Sequence, residues 1–125
     1  MTQEEKDLLL KELCARLPYA VMVNVEGYDT EKLIGIENET ITTKASPTSY
    51  SDKGEYPIDI VKPYLRSMSM MTDEEFDDLY EYAKSKFIGD SKEIDWLNAH
   101  HFDYRNLIER GLAIEVTEEN NPYKG

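Results

Sequence analysis

The apolar residues change period at Pro18. Before it, Leu9, Leu10, Leu13, Cys14 and Leu17 recur at three- and four-residue spacing, the stripe of an amphipathic helix. After it, Val21, Val23 and Val25 alternate, the period of a half-buried strand. That switch commits the chain to mixed α and β structure. The helix has its own start and stop. Thr2 and Glu5 have the spacing of a capping box, in which hydroxyl and carboxylate each satisfy a free backbone amide. Pro18 cannot continue the helix.

Short strands follow, joined by turn residues. The first is 20–25, and 26–29 (Glu26, Gly27, Tyr28, Asp29) supplies the turn. Residues 32–36 and 40–44 read as the second and third strands, with a tight turn at 37–39. Residues 45–55 hold Pro, Ser, Thr, Asp and Gly with no aliphatic beyond Ala45, and read as a mobile loop. Tyr56, Ile58 and Ile60 alternate in a fourth strand over 56–61. Pro63 then blocks further ladder.

A second helix starts at Thr72, whose capping-box partner is Glu75. Met71 and Phe76 have the spacing of a hydrophobic staple. Phe76, Leu79, Tyr80, Ala83 and Phe87 form its expected buried face, and Gly89 ends it. Asp73, Glu74, Glu75, Asp77 and Asp78 load its start with charge of the sign the helix dipole favours. A third helix is expected after a cap at Asp90 or Ser91. Its apolar members are Ile94, Trp96 and Leu97, and it ends within 98–101. Residues 102–108 fit either a helical turn or a tight extended loop. Leu112, Ile114 and Val116 alternate as a final strand returning to an edge.

The expected fold is α+β. A small curled antiparallel sheet, open to closure as an SH3-like partial barrel, carries one N-terminal helix and two or three C-terminal helices. At 125 residues the chain fits one domain, assigned to 1–116, with a flexible C-terminal tail over 117–125.

Charge narrows the partners. Lys and Arg number 14 against 26 Asp and Glu, a net charge of −12. That field repels phosphate backbones and anionic membranes, and Lys and Arg are scattered singly rather than striped. Neither direct nucleic-acid binding nor membrane binding is expected. The acidic stretches 73–81 and 115–119 serve solubility, or form a surface for a basic partner, or mimic DNA. Cys14 is the one cysteine and sits at an apolar helix position, so it reads as a small buried apolar residue. No intramolecular disulfide is possible, which points to the cytoplasm. Glu4, Glu5 and Asp7 stand where a signal peptide would need positive charge. The six glycines are scattered without a phosphate-binding spacing, so no cofactor is expected.

The densest polar and aromatic segment holds Trp96, His100, His101, Asp103, Tyr104 and Arg105, including both histidines. One reading is a small metal-binding protein or a hydrolase centred on His100, His101 and Asp103, with Ser67 or Ser69 as nucleophile. Adjacent histidines point in different directions, and no paired-ligand spacing supports a metal. A structural reading has the histidines capping carbonyls at a helix end, with an Asp103–Arg105 pair locking the turn. A third reading makes the same residues a binding surface. Asp59 and Asp95 have strongly apolar neighbours, as a raised carboxylate pKa would need. Met68, Met70 and Met71 suit core filling ahead of the second helix, or an adaptable surface.

Two blocks, Ile60-Val61-Lys62-Pro63-Tyr64-Leu65-Arg66 with 69–72, and Ile94-Asp95-Trp96-Leu97-Asn98-Ala99-His100-His101-Phe102-Asp103-Tyr104-Arg105 with 107–108 and 111–113, carry a resemblance. With the opening 1–6 and 17–19, the chain resembles a family of short uncharacterised proteins of gut anaerobic bacteria and their mobile elements. The resemblance implies a complete bacterial protein in a mobile-element context and carries no functional residue across. The leading functional expectation is a non-enzymatic interaction or regulatory module with a protein partner. A small metal protein or hydrolase and an acidic DNA-mimic inhibitor stand as alternatives.

Overall fold

A computed structural model describes residues 1–27, 30–44, 53–84 and 90–123. The expectations placed on Tyr28, Asp29, the loop residues 45–52, Phe87 and Gly89, and on the side chains of Ala83, Asp90 and Ser91, lie outside the described residues. The fold is α+β, with helices α1 (Gln3–Arg16), α2 (Asp73–Lys84) and α3 (Asp90–Ala99) on a seven-stranded sheet. No described helix is long and apolar enough to cross a membrane.

Helix α1 begins as its sequence dictates. Thr2 Oγ1 accepts from the Glu5 amide at 3.1 Å, and Glu5 Oε1 accepts from the Thr2 amide at 2.9 Å. Its buried face differs from the one expected. Leu9 and Leu13 are buried, but Cys14 is exposed, and Glu12 and Arg16 take the remaining inward positions. The stripe therefore runs 9, 12, 13, 16, at helical spacing but with two charges in it. The chain leaves α1 through a 3₁₀ turn at Leu17–Tyr19, and Ala20 in the left-handed region (φ 58°) swings it into the sheet.

The strands β1 (Met22–Val25), β2 (Thr30–Glu37), β3 (Thr40–Lys44), β4 (Gly54–Pro57) and β5 (Val61–Ser67) pair antiparallel in the order β4-β3-β2-β1-β5. A register shift lies between Leu33 and Gly35 on β2. The expected fourth strand over 56–61 is in fact interrupted. A 3₁₀ turn at Ile58–Ile60 splits it, burying Ile58 and carrying the chain from one sheet edge to the far side of β1. Gly54 and Glu55, expected in the loop, belong to β4.

Pro63 does not end a strand. It lies inside β5 opposite Val23, and the pairing with the strand on β5's other partner begins one residue later at Tyr64. The final strands β6 (Phe102–Asp103) and β7 (Ile114–Glu115) both run parallel to β5, at Arg66–Ser67 and Tyr64–Leu65. The sheet is thus mixed and open, not a closed barrel. Helices α2 and α3 supply the crossover that a parallel return needs.

The main core joins Leu9 and Leu13 of α1 to Val21, Val23, Val25, Leu33, Ile41, Val61, Leu65, Leu107 and Leu112. A second cluster holds Trp96, Leu97 and Phe102, with Met71, Leu79 and Tyr104 against it. Arg16 spans the two. It is fully buried, Nε donates to Glu12 Oε2 at 3.3 Å, and Nη2 donates to the Phe102 carbonyl at 2.7 Å. From outside, Arg105 Nε approaches Glu12 Oε1 at 2.5 Å.

Within the expected tail, Tyr123 is tied to the sheet. Tyr123 Oη accepts from the Met22 amide at 3.0 Å and donates to the Tyr64 carbonyl at 2.7 Å. In the register of β1 with β5, Met22 and Tyr64 are the next pair after Val23 and Pro63. The phenol therefore stands in for a rung of the ladder at the point where β5 passes to its parallel partners.

Replacing Arg16 with Leu should lower unfolding free energy by about 3–5 kcal/mol, since it takes from the buried Glu12 carboxylate its buried partner and leaves only Arg105 against it. Urea unfolding checks this. Tyr123→Phe keeps the ring but leaves two backbone groups without their partner, and should cost about 1–3 kcal/mol in the same assay.

Candidate functional site

The segment singled out from sequence folds into one place. Trp96 and Asp103 are buried, His100, His101 and Tyr104 are half-buried, and Arg105 is exposed. Trp96 is buried, stacks on His100 at 3.9 Å between centroids, and donates Nε1–H to Asp78 Oδ2 at 3.1 Å. His100 is committed to that stack. His101 sits in the left-handed region (φ 64°), which turns its ring to the opposite side, onto Tyr123 at 3.7 Å. The two rings diverge, as adjacent residues must.

His101 Nδ1 is buried without a hydrogen-bond partner. Burial first, then the charges of Arg16, His100 and Arg66, pushes the imidazole from 6.5 down to about 4. Neither histidine side chain caps a carbonyl in the hydrogen bonds of the described residues. The carbonyl of His100 instead accepts from Arg66 Nη1 at 3.4 Å.

Asp103 and Arg105 do not pair with each other. Asp103 is buried, and its two oxygens accept from the amides of Leu107 and Ile108, both at 2.9 Å. Residues 106–111 then make one helical turn. The Leu112 amide reaches the Leu107 carbonyl and the Gly111 amide reaches that of Ile108, a Schellman closure with Gly111 at φ 76°. Both readings of 102–108 hold in part: a two-residue strand leads into a capped turn. Tyr104 donates to Asn98 Oδ1 at 3.0 Å and lies beneath the guanidinia of Arg16 and Arg105, at 5.3 and 5.4 Å.

Ser67 and Ser69 hydroxyls pair with each other at 2.8 Å, and no hydrogen bond among the described residues joins either to a histidine. Among the described residues, no group of three or more His, Cys, Asp and Glu is placed to hold a metal ion. Asp59 is exposed and lies 3.6 Å from Lys6 Nζ, and Asp95 is exposed, so neither sits in an apolar pocket.

An open cleft of about 240 Å³ lies beyond the carboxyl ends of the parallel strands, where Ser67, Asp103 and Glu115 meet Glu109. Its Asp103 carboxylate is already committed to two amides.

The exposed feature lies on α2. Phe76 is 62% and Tyr80 58% exposed, although sequence spacing places both on a buried face. Met71 does not staple to Phe76 but packs on the Trp96 cluster. Two polar contacts turn the helix. Glu75 receives Arg66 Nη1 and Nη2 at 2.7 and 2.8 Å, and Asp78 receives Trp96 Nε1. Glu75 also accepts the Thr72 amide, completing the capping box, and its carboxyl is lowered to about 2, chiefly by Arg66. With the 75–78–79 side held inward, Phe76 lies about 100° around the helix and faces solvent. Phe76, Leu79 and Tyr80 of α2 and Glu93 of α3 line a mostly apolar groove of about 210 Å³. The clue in the sequence was the acid at 75, whose cap position also suits an arginine partner.

No family model, curated protein or solved structure matches the chain.

His101 has a lower pKa folded than unfolded, so the unfolded chain takes up its proton first as pH falls. Stability carried by the neutral ring is whole above about 6.5 and is lost toward about 4. Urea midpoints of the wild type should therefore fall across that window more steeply than those of His101→Asn, which tolerates the left-handed backbone. The Glu75–Arg66 pair contributes above about 4.5 and is lost toward about 2, so its fall follows at lower pH.

Proposed function

We propose that this protein is a non-enzymatic interaction module that docks a protein partner through the exposed aromatic face of α2. The observation that carries this reading is the solvent exposure of Phe76 and Tyr80 beside an apolar groove, on a helix held in that rotation by two polar contacts. Aromatic anchors of this kind dominate protein interfaces. The histidine segment supports the reading indirectly: its side chains are spent on stacking, capping and the buried ion network, which makes a rigid base for α2 and α3.

The acids of α2 also suit a mimic of DNA. A mimic, however, needs charge where this surface has an apolar centre, and that centre favours a protein groove.

The test is retention of a stoichiometric bacterial protein by the tagged chain and by Phe76→Ser/Tyr80→Ser, identified by mass spectrometry. Both positions are exposed, so the double variant should fold as the wild type does by circular dichroism. Loss of the partner from the variant supports the reading. Equal retention by both, or no partner on the wild type, overturns it.

A further inference from the structure

We infer that the α2 groove takes a cationic amphipathic helix of its partner, an inference that rests on the docking reading above. Asp73, Phe76, Asp77 and Tyr80 share one stripe of α2 at three- and four-residue spacing, all exposed. Aromatic rings thus alternate with carboxylates along the presented face. Leu79 also lines the groove, and Glu93 of α3 adds a carboxylate to its lining. Of the other acids on α2, Glu75 and Asp78 are committed to Arg66 and Trp96. Asp73 and Asp77 make no hydrogen bond or ion pair among the described residues and flank the rings.

The complement of this surface has apolar anchors one helical turn apart and Lys or Arg on both flanks. That is the helix-in-groove mode, with charge fixing register and rate of encounter. A second copy of this chain fits poorly, because it would set α2 carboxylates against α2 carboxylates on two bodies each of charge −12.

The experiment uses the purified full chain and three labelled peptides of about 20 residues, long enough for a stable amphipathic helix. One has a Leu stripe with Lys/Arg flanks, one the same stripe with Glu flanks, and one the Lys/Arg residues with Ser in place of Leu. Fluorescence anisotropy is read at about 50 and 300 mM salt, either side of physiological screening. The expected result is binding of the first peptide at least about tenfold tighter than the other two, or about 1.4 kcal/mol. Phe76→Ser should weaken it by a similar factor. Asp73→Asn/Asp77→Asn should weaken it less and flatten its dependence on salt.

Equal binding of the Ser-substituted peptide, unmoved by Phe76→Ser, overturns the groove. Preference for the Glu-flanked peptide overturns the charge assignment and leaves the docking reading standing. No binding of any peptide overturns the helical partner, while retention in the lysate experiment still decides the docking reading. A dimer seen by sedimentation and lost in Phe76→Ser makes the occupant a second copy, and overturns the inference.

Discussion

A single guanidinium, fully removed from water, ties this fold together. Arg16 comes from the one helix that precedes the sheet and bonds to the carbonyl of Phe102, in a strand made after both other helices. Desolvating an arginine costs several kcal/mol, which the partners of Nε and Nη2 offset, while Nη1 is buried without a hydrogen-bond partner among the described residues. Glu12 supplies the opposite charge from one turn back, Phe102 supplies a carbonyl, and Tyr104 covers the guanidinium with a ring. Arg105 closes the outer side of Glu12. Apolar burial would accept several relative placements of α1 and β6. A buried ion with directional partners accepts very few, and so specifies how the two core clusters meet.

The parts of the fold that local chemistry controls were legible in the sequence. Both capping boxes, the turn at 37–39 and the alternation of Val21, Val23 and Val25 follow from neighbours three residues away or fewer. What was not legible depends on distant partners. Alternation in 112–116 signals a strand but is identical for parallel and antiparallel pairing, so the direction of β7 could not be read from it. The stripe of α1 was misassigned to Cys14 because Arg16 and Glu12 look like surface residues until Phe102 and Arg105 are placed beside them. The sequence marks 96–105 as its densest polar and aromatic segment. Its role was hidden, because stacking of His101 on Tyr123 joins residues far apart in sequence.

The same long-range logic explains α2. Its apolar residues would ordinarily select the buried face. Arg66 and Trp96 instead engage Glu75 and Asp78, and their hydrogen bonds to these two carboxylates select a rotation that leaves the Phe76 and Tyr80 rings exposed. Exposing Phe76 and Tyr80 forgoes hydrophobic stabilisation of about 1.5–3 kcal/mol for a fully buried ring of that size. A surface that gives up so much in the free protein is well suited to recover it on association.

The Tyr123 wedge has a consequence for the order of events during synthesis. Met22 and the phenol that satisfies its amide are 101 residues apart. At 5–20 residues per second, roughly 5–20 s pass between the making of the two. Tyr64 is made 59 residues before Tyr123; over that later part of the interval β1 and β5 can pair at Val23 and Pro63 while the Met22 amide and Tyr64 carbonyl are still without the phenol. All the strands of the antiparallel half are thus made before the segment that carries Tyr123. The parallel half, with the junction that fastens it, waits for the C-terminal segment to arrive.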